Sequence, residues 1–184
     1  MEAKLYSFID IFNSEFNTDQ EIVRLEQITI PIIQRDYAQG RNDPSIERIR
    51  DRFLNSLYAA VTKKPIILDF IYGDIDKFGN MTPLDGQQRL TTLFLLYWYA
   101  AKKENISENE YSFLNKFSYD TRYSARTFCK YLVKFCPSFE DALSNEIIDQ
   151  EWFPLDWKKD STISSMLVML DAIDEKFKDV EKLW

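Results

Sequence analysis

The chain has 184 residues, 45% hydrophobic and 15% aromatic, with 23 basic and 30 acidic side chains and no histidine. It is long enough for one packed core and too apolar for intrinsic disorder. The missing histidine excludes Ser-His-Asp and Cys-His catalysis, a histidine general base and His-ligated zinc, and a net charge of −7 argues against a broad nucleic-acid-binding face. The charge is evenly spread, with −3 over residues 1–100 and −4 over residues 101–184, so neither half is a basic arm.

Leu5, Phe8, Ile9, Phe12 and Phe16 recur at helical spacing and predict an amphipathic first helix. No signal-peptide pattern precedes it. Glu21 to Ile30 is rich in β-branched residues and predicts a strand that Pro31 ends or leaves at an edge. A polar loop follows. Pro44-Ser45 opens a second helix to about Lys63, with Ile46, Ile49, Phe53, Leu57, Tyr58 and Val61 at helical spacing. Ile66 to Ile75 and Met81 to Leu84, joined by Lys77-Phe78-Gly79-Asn80, predict a β-hairpin. Gln87 to about Lys103 is apolar on most faces and predicts a long buried helix. Further helices are expected near 107–117, 122–136, 138–149 and 161–180.

Cys129 and Cys136 lie seven residues apart on one predicted helix, about 10 Å along its axis, too far for a disulfide. They read as reduced core thiols of a cytoplasmic protein. The longest apolar run, Leu93 to Ala101, is nine residues and too short to cross a membrane.

Three segments could carry chemistry. In Ile30-Pro31-Ile32-Ile33-Gln34-Arg35-Asp36-Tyr37 a strand runs into polar side chains, which either face a cleft or form a surface loop. In Leu84-Asp85-Gly86-Gln87-Gln88-Arg89-Leu90 a strand turns at glycine into a helix. A helix N-terminus suits an anion, Gly86 lets it approach the backbone, and Arg89 adds a guanidinium. Asp85 would then hold a metal, orient Arg89 or position water. Equally, Asp85 could be only an N-cap, with Gln88 completing a capping box. No Walker A pattern is present. Arg122 and Arg126, four apart on one helix face, either share an anion or pair locally with Asp120. A fourth segment holds Trp152 and Trp157, which read as loop anchors for the helix that follows, with base stacking as the alternative.

The string Ile30-Pro31-x-x-Gln34-Arg35-x-Tyr37, followed by Leu84-Asp85-Gly86-Gln87-Gln88-Arg89-Leu90-Thr91-Thr92-Leu93, resembles the N-terminal domain family of GmrSD-type restriction endonucleases. The resemblance is strongest over residues 27–100 and extends over nearly the whole chain. It implies an α+β fold: a small ParB/sulfiredoxin-like mixed-sheet core with a long buried helix over residues 1–104, then an all-helical extension over residues 105–184.

The same resemblance implies a nucleotide-binding regulatory domain of an anti-phage protein that restricts modified DNA, and leaves NTP hydrolysis open. Its site would comprise Gln34, Arg35, Gly86, Gln87, Gln88, Arg122 and Arg126 for the nucleotide, with Asp85 and Arg89 in the catalytic position. Asp85 would meet Mg²⁺ brought with the NTP. The alternative is a non-enzymatic module that senses DNA or a modified base. HNH-type nuclease chemistry needs histidine, so no nuclease is expected from this chain. An HNH nuclease domain is instead an expected partner, separate or beyond Trp184, where the polar helical sequence suggests a piece of a longer protein.

Overall fold

The computed structural model describes residues 4–17, 21–31, 37–41, 43–120 and 122–184. A four-stranded mixed sheet is built from β3 (Gln27–Ile30), β4 (Tyr72–Ile75), β5 (Asn80–Asp85) and β6 (Phe117–Tyr119), in the order β4-β5-β3-β6. Strand β3 runs parallel to both β5 and β6, with Ile28 opposite Met81 and Ile30 opposite Tyr119. Strands β4 and β5 form the expected antiparallel hairpin. A separate two-stranded ladder pairs β1 (Glu15–Asn17) with β2 (Ile22–Arg24).

Helix α1 (Phe8–Asn13) precedes these ladders, and α2 (Pro44–Thr62) connects β3 to β4. Helix α2 is capped by Asp43, whose carboxylate accepts from the backbone of Ser45 and Ile46, and Pro44 starts it without wasting a donor. Helix α3 (Gln87–Lys103) leaves β5 directly and is buried on most of its surface. Phe94, Leu95, Leu90, Trp98 and Tyr99 are fully enclosed. Phe94 stacks on Phe117 of β6 with centroids 4.6 Å apart. The remaining helices are α4 (Glu108–Tyr111), α5 (Tyr123–Lys134), α6 (Leu143–Ile148) and α7 (Ser161–Phe177). Helix α7 contacts α2, α3, α5 and α6, so one continuous apolar core joins the sheet to the helices.

Several buried polar groups on this core are matched. The Trp98 indole donates to the Leu132 carbonyl at 2.6 Å, and the Tyr99 hydroxyl donates to Asp174 at 2.9 Å. The Lys103 ammonium caps the end of α7 at the carbonyls of Phe177 and Val180. Glu104 accepts from the backbone of Leu183 and Trp184, fastening the last residues to the end of α3.

Several expectations are corrected. The first helix ends at Asn13 because Glu15–Asn17 is drawn into the ladder with Ile22–Arg24. The single strand over 21–30 is two, since Glu26 and Gln27 turn to donate to the Gly79 carbonyl. Residues 66–71 stay outside the sheet: β5 ends at Asp85, opposite Tyr72, and offers no ladder partner beyond it. Residues 105–184 are not all helical. Aromatic Phe117 and Tyr119, buried in the sheet, hold β6 against β3. Cys129 is a buried thiol, its pKa pushed up by burial, but Cys136 is exposed because α5 ends at Lys134. Trp152 does serve as an anchor, stacked on Tyr131 at 5.3 Å.

Asp160 caps α7, its Oδ1 accepting from Thr162 at 2.8 Å and Ile163 at 3.2 Å, while Oδ2 accepts from Ser124 at 2.5 Å. Asp160→Ala is expected to lower the free energy of unfolding in urea by about 1–2 kcal/mol. A second prediction concerns acid. Burial of the Glu146 carboxylate opposes ionisation, but backbone donors from Ser138, Asp141 and Glu140 and the Ser138 hydroxyl outweigh it and hold its pKa below 4.5. The stabilisation is therefore complete at neutral pH and fades as pH falls below 4.5 towards the folded-state value. Melting temperature measured from pH 7 down to pH 3 should fall less steeply for Glu146→Gln than for wild type.

Candidate functional site

Three parallel strands, β3, β5 and β6, point their carboxyl ends to one side of the sheet. In open α/β sheets the crevice beyond these ends is where ligands collect, because loops there diverge from a fixed scaffold. Each of the three chemistry-bearing segments leaves from one of these ends: residues 31–41 after β3, Gly86 to Arg89 after β5, and residues 120–126 after β6. The backbone N–H of Asp120 donates to the Ile30 carbonyl at 2.9 Å, joining two of the exits. Gln34 and Arg35 lie outside the described residues.

The second exit is a sharp corner. Gly86 has φ +86°, a left-handed conformation that allows β5 to pass straight into α3. A Cβ on Gly86 would lie 2.5 Å from Ile71 Cγ1. Gly86 is itself the helix N-cap and brings no side chain to it, so Asp85 is not the cap that its position suggested. Asp85 instead ends β5 with its side chain more than half exposed, and its Oδ2 lies 3.6 Å from Arg89 Nη2.

From this corner the first turns of α3 send side chains in different directions. Gln87 is buried and donates back to the Pro83 carbonyl at 2.7 Å, tightening the turn. Gln88 Oε1 accepts from the Ala38 backbone at 2.9 Å and so fixes the loop after β3. Arg89 faces the opposite side, reaching the Phe70 carbonyl at 2.9 Å and Asp69 at 3.3 Å. Two carboxylates therefore flank one guanidinium, whose buried Nε has no hydrogen-bond partner.

Thr91 and Thr92, buried two and three residues after Arg89, complete the arrangement. Thr92 donates to Gln39 Oε1 at 2.7 Å, which leaves the Tyr37 hydroxyl to donate to Thr92 at 2.8 Å. Tyr37 is enclosed. Burial raises its pKa, although the Thr92 hydrogen bond and the nearby Arg50 charge pull the other way, and the phenol stays protonated at physiological pH. Thr91 pairs with the Tyr119 hydroxyl at 2.9 Å, and burial raises the Tyr119 pKa well above its ordinary value. The loop after β3 also packs closely on α7: a Cβ on Gly40 would lie 1.7 Å from the Ser165 carbonyl oxygen.

Arg122 and Arg126 flank the third exit but have separate partners. Arg126 Nε donates to the Tyr119 carbonyl at 2.8 Å. Arg122 reaches Thr162 at 3.2 Å and Asp160 at 3.8 Å, tying α5 to the start of α7. Among the described residues no group of three or more acidic or cysteine side chains is placed to hold a metal by itself. Asp85 and Asp69, both beside Arg89, are the carboxylates at the corner.

The residue most easily overlooked is Arg50. The apolar spacing of α2 points to Ile46, Ile49, Phe53, Leu57, Tyr58 and Val61 as its inner face; Leu57 is buried, but Ile49 and Val61 are exposed and the other buried positions are Arg50 and Leu54. Arg50, Leu54 and Leu57 fall at i, i+4 and i+7, so the signal was present as an arginine continuing a leucine stripe.

Residues 9–182 match the family model described as GmrSD restriction endonuclease, N-terminal domain. No curated protein and no solved structure matches the chain.

Gly86→Ala places a Cβ against Ile71 and forces an L-residue into a left-handed conformation. It is expected to lower stability by about 1–3 kcal/mol, read as a drop in the urea midpoint with an unchanged slope.

Proposed function

We propose a function from one premise: the chain belongs to the GmrSD restriction endonuclease N-terminal domain family. In our reading it is a nucleotide-binding regulatory domain of a cytoplasmic, anti-phage system that restricts modified DNA, built on a ParB/sulfiredoxin-like core. Its partners are a nucleoside triphosphate and an HNH nuclease domain. The observation that carries the reading is the glycine corner that opens α3 at the carboxyl end of a set of parallel strands. There the helix dipole and Arg89 favour phosphate, and Gly86 keeps the backbone approachable.

Roles follow from the positions. Gln87 and Gln88 hold the turn and the loop after β3, so the first turn of α3 is preorganised before a ligand arrives. Arg89 offers a guanidinium to phosphate oxygens, and its unpartnered buried Nε is a donor awaiting an acceptor. Gln34 and Arg35 of the first motif are further nucleotide-binding residues in this reading. Asp85 is exposed enough to meet Mg²⁺ carried by the triphosphate. The sparse carboxylate set fits a magnesium ion that keeps phosphate and water ligands, and not an all-protein cage. When bound, that ion would supply charge neutralisation between phosphate oxygens. Asp85 would orient a water for hydrolysis, and Arg122 and Arg126 would brace the rim after β6.

Calorimetric titration of the wild type with each NTP in the presence of Mg²⁺ is expected to give saturable binding, weakened at least tenfold in Arg89→Ala. Absence of binding to the wild type, or equal binding by Arg89→Ala with the fold intact by circular dichroism, contradicts the reading. Salt-dependent binding of DNA without any nucleotide binding would support the sensing module in its place.

A further inference from the structure

A buried arginine is expensive unless its charge and all its donors are answered. Arg50 is 7% exposed, projects from the inner face of α2, and is poorly answered. Its Nη1 lies 3.5 Å from the Gln39 carbonyl, at the outer limit of a hydrogen bond. Its Nη2 lies 3.8 Å from Glu47, whose side chain is 60% exposed and therefore screened by water. Its Nε is buried and has no partner. Arg89, by comparison, has two carboxylates and a carbonyl at 2.9 Å.

The place of Arg50 explains what could satisfy it. Its guanidinium lies against the loop after β3, at the Gln39 carbonyl, and its charge acts on the Tyr37 phenol. The Gln39 side chain and the Tyr37 hydroxyl both meet Thr92 in the second turn of α3. Gln88, in the first turn, holds the backbone of Ala38. Arg50 is therefore coupled through one loop to the helix start that opens at Gly86. Among the described residues the one anion beside it is the solvent-exposed Glu47 carboxylate. The tyrosine hydroxyl stays neutral, and the Gln39 contact is a carbonyl.

We propose that Arg50 is an anion-binding residue of this site, taking an oxygen of a phosphate group through its unpaired guanidinium donors. The proposal rests on the nucleotide reading above and deepens it: the cationic wall of the site includes α2, which neither Gln-Arg motif contains. A planar guanidinium is suited to two phosphate oxygens at once, which an ammonium is not. Phosphate binding would turn the least compensated contacts of Arg50 into charge-assisted hydrogen bonds. The phosphate belongs either to a nucleotide or to free inorganic phosphate, and the test separates the two.

Arg50→Met and Arg50→Lys are compared with the wild type by thermal unfolding and calorimetry, using inorganic phosphate, a nucleoside, and the corresponding triphosphate with Mg²⁺. Because Met removes an uncompensated buried charge, its unliganded melting temperature is expected to equal or exceed that of the wild type. Its triphosphate affinity is expected to fall at least tenfold, its nucleoside affinity to stay the same, and Arg50→Lys to recover only part of the loss. Should Met fail to fold, Lys alone decides, since it keeps the charge and loses the fork. Triphosphate affinity unchanged in the folded variants overturns the role of Arg50 while leaving the nucleotide reading intact. Stabilisation by inorganic phosphate that depends on Arg50, without nucleotide binding, upholds the anion site and overturns the nucleotide. No response of the wild type to phosphate or nucleotide overturns both. A lowered unliganded melting temperature with unchanged ligand affinities assigns Arg50 to holding the Gln39 carbonyl and also overturns the proposal.

Discussion

Helix α3 has to be buried on nearly every side, and the rest of the molecule is arranged to allow it. Its apolar residues are taken up by the sheet at Phe117 and by α7 and the end of α5, where Trp98 meets Leu132. Enclosure of that extent makes unanswered polar groups costly, and the Arg89 Nε is the exception on this helix. Gln87, Thr91, Thr92, Tyr99 and Lys103 each therefore have a named partner on another element or on the preceding turn. The same constraint explains why residues 37–39 and the end of β6 lie against α3. They supply Tyr37, Ala38, Gln39 and Tyr119, the partners that the start of α3 requires.

This arrangement brings stability and function to one place. A strand that passes into a buried helix through a single residue must turn sharply, and Gly86 does so at positive φ. The turn leaves the helix start at the carboxyl end of the sheet, with Asp85 and Arg89 on one side and the loop after β3 on the other. Family membership over residues 9–182 joins this geometry to a restriction system. No helix among the described residues is long and apolar enough to cross a membrane.

Much of this was legible in the sequence, for physical reasons. Helices α2 and α3 were, because Pro44-Ser45 and Gly86 mark their starts and their apolar residues hold helical spacing. The hairpin was, because Lys77-Phe78-Gly79-Asn80 is turn chemistry between β-rich runs. Strand β6 was not: three residues, Phe117-Ser118-Tyr119, are too few to show alternation, and their strand state comes from pairing with β3. The strand predicted from Ile66 was overlong because propensity cannot reveal where its partner ends. At the site, the Asp85–Arg89 string was visible as a motif, but the divergence of its side chains was not. Arg89 faces Asp69, sixteen residues before Asp85, a contact that local spacing cannot foretell. Arg50 was hidden because an arginine on an inner stripe reads as the outer face of its helix.

The central claim is that the corner at Gly86 is a phosphate site, with Arg89 and the proposed Arg50 as its cations. The most direct measurement is a crystal structure of this chain grown with a non-hydrolysable triphosphate and Mg²⁺. The account predicts phosphate density beside Gly86, with oxygens within hydrogen-bonding distance of the Arg89 and Arg50 guanidinium groups. A well-ordered nucleotide bound elsewhere, with both arginines keeping their present partners, would contradict it.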